Sequence, residues 1–325
     1  MAHLVTGGAG FIAITLIDRL LASGARVVSI DNLSRGRREF LDKFKTSDRF
    51  GFYQLDLSDA AALGDVLRGD QARGPIGHIW HLAANSDIPA GIADPGIDLK
   101  DTFMTTFQVC QVARAFGIPN VHFASSSAIY GDLGDVAIHE DVGPLQPISN
   151  YGAMKLASEA QLRAAAEAFL SRVDIFRFPN VIGVPATHGV IVDFVRKLRA
   201  TPEQLDVLGN GTQRKPYLHV EDLVDAMLFI SRTATERYNV FNIGPRDQGV
   251  TVKAIAEAVR DAVSPTAEIV YGEEGRGWVG DVPRFSYDTG RLSALGWSPM
   301  LDSHAAVIKA VAQVADQESG SGSPA

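Results

Sequence analysis

Along the first half of the chain, short apolar runs alternate with longer stretches in which apolar residues recur every three or four positions. Leu4-Val5-Thr6 reads as a strand, glycines follow, and Ile14 to Leu21 carries its apolar residues on one helical face. Further strands are predicted at Arg26–Ile30, Phe52–Leu57, His78–Ala84, Val121–Ala124 and Val173–Phe176. Amphipathic helices are predicted over Asp98–Phe116 and from Tyr151 to about Leu170. Strands alternating with helices predict an α/β fold built on a doubly wound parallel sheet.

The first strand-to-helix turn carries chemistry. Gly8, Gly10 and Ala13 fit G-x-G-x-x-A, the dinucleotide fingerprint of a Rossmann fold. Glycine lets the chain turn tightly and lets a pyrophosphate approach bare backbone, and the helix N-terminus offers free N–H groups. The second strand ends in Asp31, about twenty residues on, where an acid accepts hydrogen bonds from the adenosine ribose of NAD. Arg35, Arg37 and Arg38 are placed to reach a 2′-phosphate, but Asp31 would repel one, so NAD is expected. Asp56 and Leu57, at the end of the third strand, read equally well as contacts at the adenine edge or as a plain turn. Ala83 and Ala84 would let backbone pass beside a flat cofactor, and His81 before them reads as a core histidine.

Composition narrows the classes. The 325 residues suit one large or two modest domains, with 46% hydrophobic and 21% charged residues typical of a globular protein. A net charge of −8 argues against nonspecific nucleic-acid binding. One cysteine, Cys110, excludes an internal disulfide and speaks against a cysteine metal site; no metal is expected. No signal peptide or membrane-length apolar run appears, so a cytoplasmic location and no membrane partner are expected. The stretch 318–325, rich in Ser and Gly, reads as a disordered tail.

Two features at the fifth strand and beyond reinforce each other. Ser125-Ser126-Ser127 follows the strand's carboxyl end, and Tyr151 and Lys155 share one helix face, roughly 6 Å apart along the axis. Tyrosine normally titrates near 10 and is a poor base at neutral pH. A neighbouring ammonium and the positive charge of an oxidised nicotinamide favour phenolate, so Tyr151 is expected to titrate low. Such a tyrosine takes a proton from an alcohol while hydride leaves the same carbon.

With these residues in place the chain resembles the extended short-chain dehydrogenase/reductases, in particular the nucleotide-sugar epimerase/dehydratase group and its UDP-glucose (UDP-galactose) 4-epimerase branch. The matching stretches run in order from Thr6–Ile12, Asp31–Leu33 and His81–Ala84, through Ser125–Gly131 and Tyr151–Lys155. They continue through Arg177–Asn180, Tyr217–Asp222 and Asn242–Gly244 to Gly280–Pro283. The resemblance implies NAD held by Gly7, Gly10, Phe11, Ile12, Asp31, Asn32, Asp56, Leu57, Leu82, Ala83 and Ala84, together with Tyr151 and Lys155. It implies Ser126, Tyr151 and Lys155 as the catalytic set, with Tyr151 the base and Ser126 hydrogen-bonded to the sugar hydroxyl. Ser126, Ser127, Tyr151, Asn180, Lys215, Arg276 and Phe285 are the implied substrate contacts, Phe285 as a gate beside the sugar.

Departures from the pattern carry information. Dehydratases of the group place an Asp-Glu pair after the catalytic hydroxyl; here Ser127 and Ala128 stand there, which favours an epimerase. The third glycine is Ala13, and Thr102 replaces a usual asparagine. Lys215 replaces an arginine at the diphosphate, and Trp278 replaces another, with Arg276 two residues earlier as its substitute. The implied activity is NAD-dependent 4-epimerisation of a nucleotide sugar, of the UDP-hexose type, by transient oxidation at C4 and hydride return. The alternatives are a UDP-uronate 4-epimerase, a decarboxylase, a 4-keto-sugar reductase or a non-catalytic NAD-binding regulator. The expected organisation is an NAD domain (1–178 plus 213–243) and a smaller substrate domain (179–212 plus 244–317), with the sugar nucleotide in the cleft between them. A homodimer through the helices near 100–116 and 151–170 is implied as well.

Overall fold

The computed structural model describes residues 1–134, 136–273 and 286–320. By contact the chain forms two compact units, each assembled from several segments.

The first unit comprises Met1–Gly131, Gly143–Phe178 and Met227–Phe241. Strand β1 (Ala2–Thr6) leads through the glycines into helix α1 (Phe11–Ala22), which buries Ala13, Ile14, Leu16, Ile17, Leu20 and Leu21. Strands β2 (Arg26–Asp31) and β3 (Phe50–Gln54) follow. Next come helix α2 (Ala60–Gln71), N-capped by the Asp59 carboxylate, and β4 (Ile76–His81). Two short helices, α3 (Ile88–Ala93) and α4 (Pro95–Asp98), are capped by Asp87 and Asp94 and have proline in their first turns. Helix α5 (Thr105–Phe116) ends at Gly117, which takes the left-handed φ of 63° that a helix-ending glycine supplies. Strand β5 (Asn120–Ala124) and helix α6 (Asn150–Ala168), capped by Ser149, complete the frame of the site.

The seven-stranded sheet has the order Tyr238–Asn242, Arg172–Arg177, β5, β4, β1, β2, β3. Every pairing from β3 across to Arg172–Arg177 is parallel. This is the doubly wound order, and the order of strand addition reverses between β1 and β4, the switch point at which such sheets bind ligands. The core is continuous beneath it: Leu4, Val28, Ile30, Ile79, Val121, Phe123, Val173 and Ile175 pack with helix residues such as Leu67, Val109 and Leu162. The class expected from strands alternating with amphipathic helices is the one observed.

Three expectations are corrected. The single helix over Asp98–Phe116 is instead α4, a π-helical turn at Leu99–Met104, and α5. Threonine hydroxyls explain the widening: Thr105 Oγ1 donates to Asp101 O and Thr102 O, and Thr106 Oγ1 donates to Thr102 O. Such bonds compete with the helical ladder. Residues 213–226, assigned from sequence to the NAD domain, group with the second unit, as do 132–142. Glu318 and Ser319, expected in a disordered tail, lie in the helix Ser303–Gly320, and the Glu318 carboxylate takes the Arg196 guanidinium at 2.9 Å. Residues 321–325 lie outside the described residues.

The second unit comprises Asp132–Val142, Pro179–Ala226 and the chain from Asn242 onward. Its helices Val190–Ala200, Val252–Val263 and Ser303–Gly320 share one core with Leu205, Val207 and Tyr217. Small parallel pairs join Asn180–Ile182 to Tyr217–His219 and Gln204–Val207 to Glu268–Tyr271.

Candidate active site

The glycine loop is tight for physical reasons. Gly7 has φ +68°, and a Cβ there would sit 2.8 Å from the Ala83 nitrogen. Gly8 N–H donates to Ile30 O at 3.1 Å, and a Cβ on Gly8 would fall 1.9 Å from Ser29 Oγ. Gly10 N–H donates to Gly7 O at 3.0 Å and caps α1 with no side chain in the way. The N–H groups of Phe11 and Ile12, in the first turn, have no carbonyl one turn back to bond. The loop is thus bare backbone aimed by a helix N-terminus, the cradle a dinucleotide diphosphate needs.

Asp31 ends β2 beside this loop. Its Oδ2 accepts from Ala9 N–H at 3.0 Å and its Oδ1 from Leu33 N–H at 2.7 Å. Burial pushes its pKa up against those two bonds. Each oxygen keeps a lone pair for a ribose hydroxyl, so the residue both holds the turn and fits NAD. Asn32 Nδ2 and Lys100 Nζ each lie 3.4 Å from Asp56 Oδ2. Burial works to raise Asp56, but bonds from Ser58 and Asn32 and the Lys100 charge hold it at about 2. Leu57 is buried behind it. The three arginines are engaged on protein acceptors: Arg35 on Asp87 at 2.8 Å, Arg38 on Gln54 at 2.8 Å, and Arg37 near Glu39 at 3.9 Å.

At the end of β4, Leu82 N–H donates to Thr6 O at 3.2 Å and Ala83 N–H to Thr6 Oγ1 at 3.4 Å, so Leu82, Ala83 and Ala84 run beside the glycine loop. His81 is a core histidine. Its Nδ1 pairs with Thr6 Oγ1 at 2.7 Å and its Nε2 with Thr106 Oγ1 at 3.0 Å. Burial, helped by the Lys155 charge, pushes its pKa down to about 3.

The catalytic candidates meet at the carboxyl end of β5. Ser126 Oγ accepts from Ala128 N–H at 3.1 Å, and its hydroxyl acts on the Tyr151 phenol to lower its pKa. Ser127 N–H donates to Phe178 O at 3.0 Å, which fixes the turn. Lys155 is buried; its Nζ donates to Ala124 O at 2.6 Å and lies 5.7 Å from the Tyr151 ring centroid. Burial pulls Lys155 down to about 7, against the charges of Glu159 and Asp98. Tyr151 departs from the sequence expectation: burial pushes it up to about 12, with Asp98 adding to the rise and the Ser126 hydroxyl opposing it. Among the protein's own groups desolvation therefore outweighs the help that the lysine was expected to give.

The profile of the NAD dependent epimerase/dehydratase family matches residues 3–244. The chain belongs to that family. The UDP-glucose 4-epimerase of Mycolicibacterium smegmatis is 32% identical over 96% of this chain and 97% of its own. A crystal structure of a UDP-galactose 4-epimerase is 34% identical, with a TM-score of 0.84 over 98% of this chain and 99% of that one. The Thermus thermophilus UDP-glucose 4-epimerase, solved with NAD, is 27% identical, with a TM-score of 0.83 over 97% and 99% of the two chains.

Beside these residues, one supporting cluster escaped the sequence reading. Arg177 Nε and Nη2 fork onto Glu159 Oε1 and Oε2 at 3.0 and 2.6 Å. Arg177 Nη1 donates to Tyr130 Oη at 2.9 Å, and Ser125 Oγ donates to Glu159. Glu159 lies four residues after Lys155 on α6, a spacing that reads in sequence as an exposed ion pair, yet it is buried. Asn180 opens a short strand of the second unit, and Lys215 lies in a two-residue strand of the same unit. Arg276 and Phe285 lie outside the described residues. Among the described residues no group of His, Cys, Asp and Glu is arranged to hold a metal ion, and no helix is long and apolar enough to cross a membrane.

Proposed function

We propose that this chain interconverts the C4 epimers of a UDP-hexose, of the UDP-glucose/UDP-galactose type, with NAD held throughout turnover. The observation that carries this is the grouping of Ser126, Tyr151 and Lys155 at the end of β5, in the unit that carries the glycine loop and Asp31. The names of the relatives support the substrate class. NAD, when bound, supplies the acceptor for the C4 hydride and gives it back.

The rest is the work of this chain. Ser126 holds the sugar 4-hydroxyl, and the Tyr151 oxygen takes its proton and later returns it. Lys155, fixed by Ala124 O, holds the nicotinamide ribose and favours the phenolate. Ser127 and Ala128 offer no acid or base for loss of water, which disfavours dehydration. Asn180 and Lys215 on the second unit, with Arg276 and Phe285, bind the nucleotide sugar. We place the protein in the cytoplasm as a homodimer through α5 and α6; Leu99 and Met104, exposed on the turn leading into α5, supply apolar surface for it.

The test is proton NMR of purified protein with UDP-galactose and no added cofactor. UDP-glucose growing to a fixed ratio is expected. An unchanged spectrum, or stoichiometric consumption of added dinucleotide, overturns the reading. Tyr151→Phe should retain NAD and lose most turnover.

A further inference from the structure

Asp98 is a carboxylate in an unexpected place. It closes α4 and is fully buried, at 0% exposure. One oxygen, Oδ1, accepts from Asn85 Nδ2 at 2.9 Å. The other, Oδ2, is shielded from solvent and takes no hydrogen bond of good geometry among the described residues, with only a weak contribution from the Thr102 hydroxyl. The backbone of Gly91 presses on it so closely that a Cβ there would fall 1.9 Å from Oδ2. Gly91 O in turn accepts from Asn150 Nδ2 at 2.8 Å, and Asn150 is the residue before Tyr151. Ser158 Oγ on α6 reaches Thr102 O in the π-helical turn at 3.5 Å. The segment that carries Asp98 is thereby tied to the helix that carries Tyr151 and Lys155.

A buried carboxylate is costly unless it balances a charge. The charges around it leave one candidate. Glu159 is spent on Arg177 through the two-point bond, which neutralises that pair. Lys155 makes no ion pair within contact distance among the described residues, yet it is buried and feels Asp98. Counting Lys155, Arg177, Glu159 and Asp98, the buried cluster is neutral only with Asp98 ionised. The other ionisable groups near this turn are Asp101 and Lys100, which lie 3.9 Å apart, Asp87 on Arg35, Asp94 on Gly96 N–H, and His81, which is neutral. None of these is buried and unpaired as Asp98 is.

We propose that Asp98 is the counter-charge of the Tyr151–Lys155 pair, a positioning residue that sets the pH range in which the pair works. This rests on the reading of Tyr151 as the base. The sign follows without knowing which of the two groups loses its proton first. A negative charge beside the pair raises the apparent pKa of the first proton to leave, whether phenol or ammonium. Removing it lowers that pKa. Burial and Asp101 raise Asp98 itself while Asn85 and the Lys155 charge hold it down, so its charge and that of the pair are coupled.

The experiment compares wild type, Asp98→Asn and Tyr151→Phe as NAD-loaded proteins. The pH dependence of kcat/KM is measured alongside tyrosinate absorbance, where the transition missing in Tyr151→Phe belongs to Tyr151. Asp98→Asn keeps an acceptor for Asn85 and should move both the acidic limb and the tyrosinate transition to lower pH by about one unit. Asp98→Ser serves the same purpose if the amide packs badly against Gly91. Asp101→Asn, on the exposed side of the turn, should move them much less. Unmoved curves in both Asp98 variants, or an equal shift in Asp101→Asn, overturn the role. The absorbance titration does not depend on the sugar, so failure of the substrate assignment would be seen separately.

Discussion

Replacing Arg177 by methionine tests what holds the Ser125–Gly131 turn in place. The guanidinium makes two charged hydrogen bonds to Glu159, at 3.0 and 2.6 Å, and one to Tyr130 at 2.9 Å, and both partners of the ion pair are buried. Removing one member of a buried pair leaves an uncompensated charge, worth about 3–5 kcal/mol. Glu159 keeps the Ser125 hydroxyl and the Lys155 charge nearby, so the lower part of the range, about 3–4 kcal/mol, is expected. At about 2 °C per kcal/mol for a chain of this size, Tm should fall by about 6–8 °C. Glu159→Gln should cost about as much, because it strands the buried guanidinium. The double variant Arg177→Met/Glu159→Gln should cost only about 1–2 kcal/mol, since neither charge remains. Urea unfolding of the four proteins closes the cycle. A single-variant loss below about 1 kcal/mol, or additive losses, would refute the claim that the pair is a buried, coupled unit.

Other expectations follow from the same geometry. Gly8→Ala should destabilise by about 1–3 kcal/mol, because its Cβ meets Ser29 Oγ. Ser29→Ala should recover part of that and no more, since Ser29 Cβ would still lie 3.0 Å away; full recovery or none, read by thermal melts, contradicts the packing. Asp31→Ala should shrink the rise in Tm that NAD produces, and should lower the Tm of the cofactor-free protein by stranding the Ala9 and Leu33 N–H groups. An unchanged NAD effect would exclude Asp31 from the cofactor site. His81 stays neutral in the fold down to about pH 3, while unfolded chain takes up its proton below about 6.5. Its contribution is therefore intact above that pH and is lost on acidification, by about 2 kcal/mol between pH 6.5 and 5. His81→Asn should flatten this slope, and a slope identical to wild type would refute the assignment.

The parts of the site that rest on local pattern were readable from the sequence. The glycine loop lies within one strand-to-helix turn and the Tyr151–Lys155 spacing within one helix, so periodicity and φ preference announce them, and Asp31 is announced by ending the next strand. What stayed hidden depends on approach between distant segments. Asp98 looks like an ordinary polar position until Gly91 and Asn85 close over it. Glu159 looks like a solvated charge until Arg177 arrives from the strand that follows its helix. The π-helical turn at Leu99–Met104 escaped because apolar spacing averages over one extra residue, and its cause is the Thr105 and Thr106 hydroxyls. Glu318 was misread because a tail rich in Ser and Gly gives no hint that Arg196 awaits it.

The interleaving of the two units has a consequence for how the protein is made. The sheet takes its last edge strand from Tyr238–Asn242, so a ribosome must deliver more than two thirds of the 325 residues before the dinucleotide-binding unit can close. The other unit waits longer still, because Val307, Ala310, Val311 and Val314 of the final helix belong to its core. The first unit therefore closes while the second still lacks its last helix, so a nascent chain holds exposed apolar surface of the second unit until that helix has emerged. Released chains that stop before Val307 should be strong clients for chaperones, whereas released chains that extend through Gly320 should not.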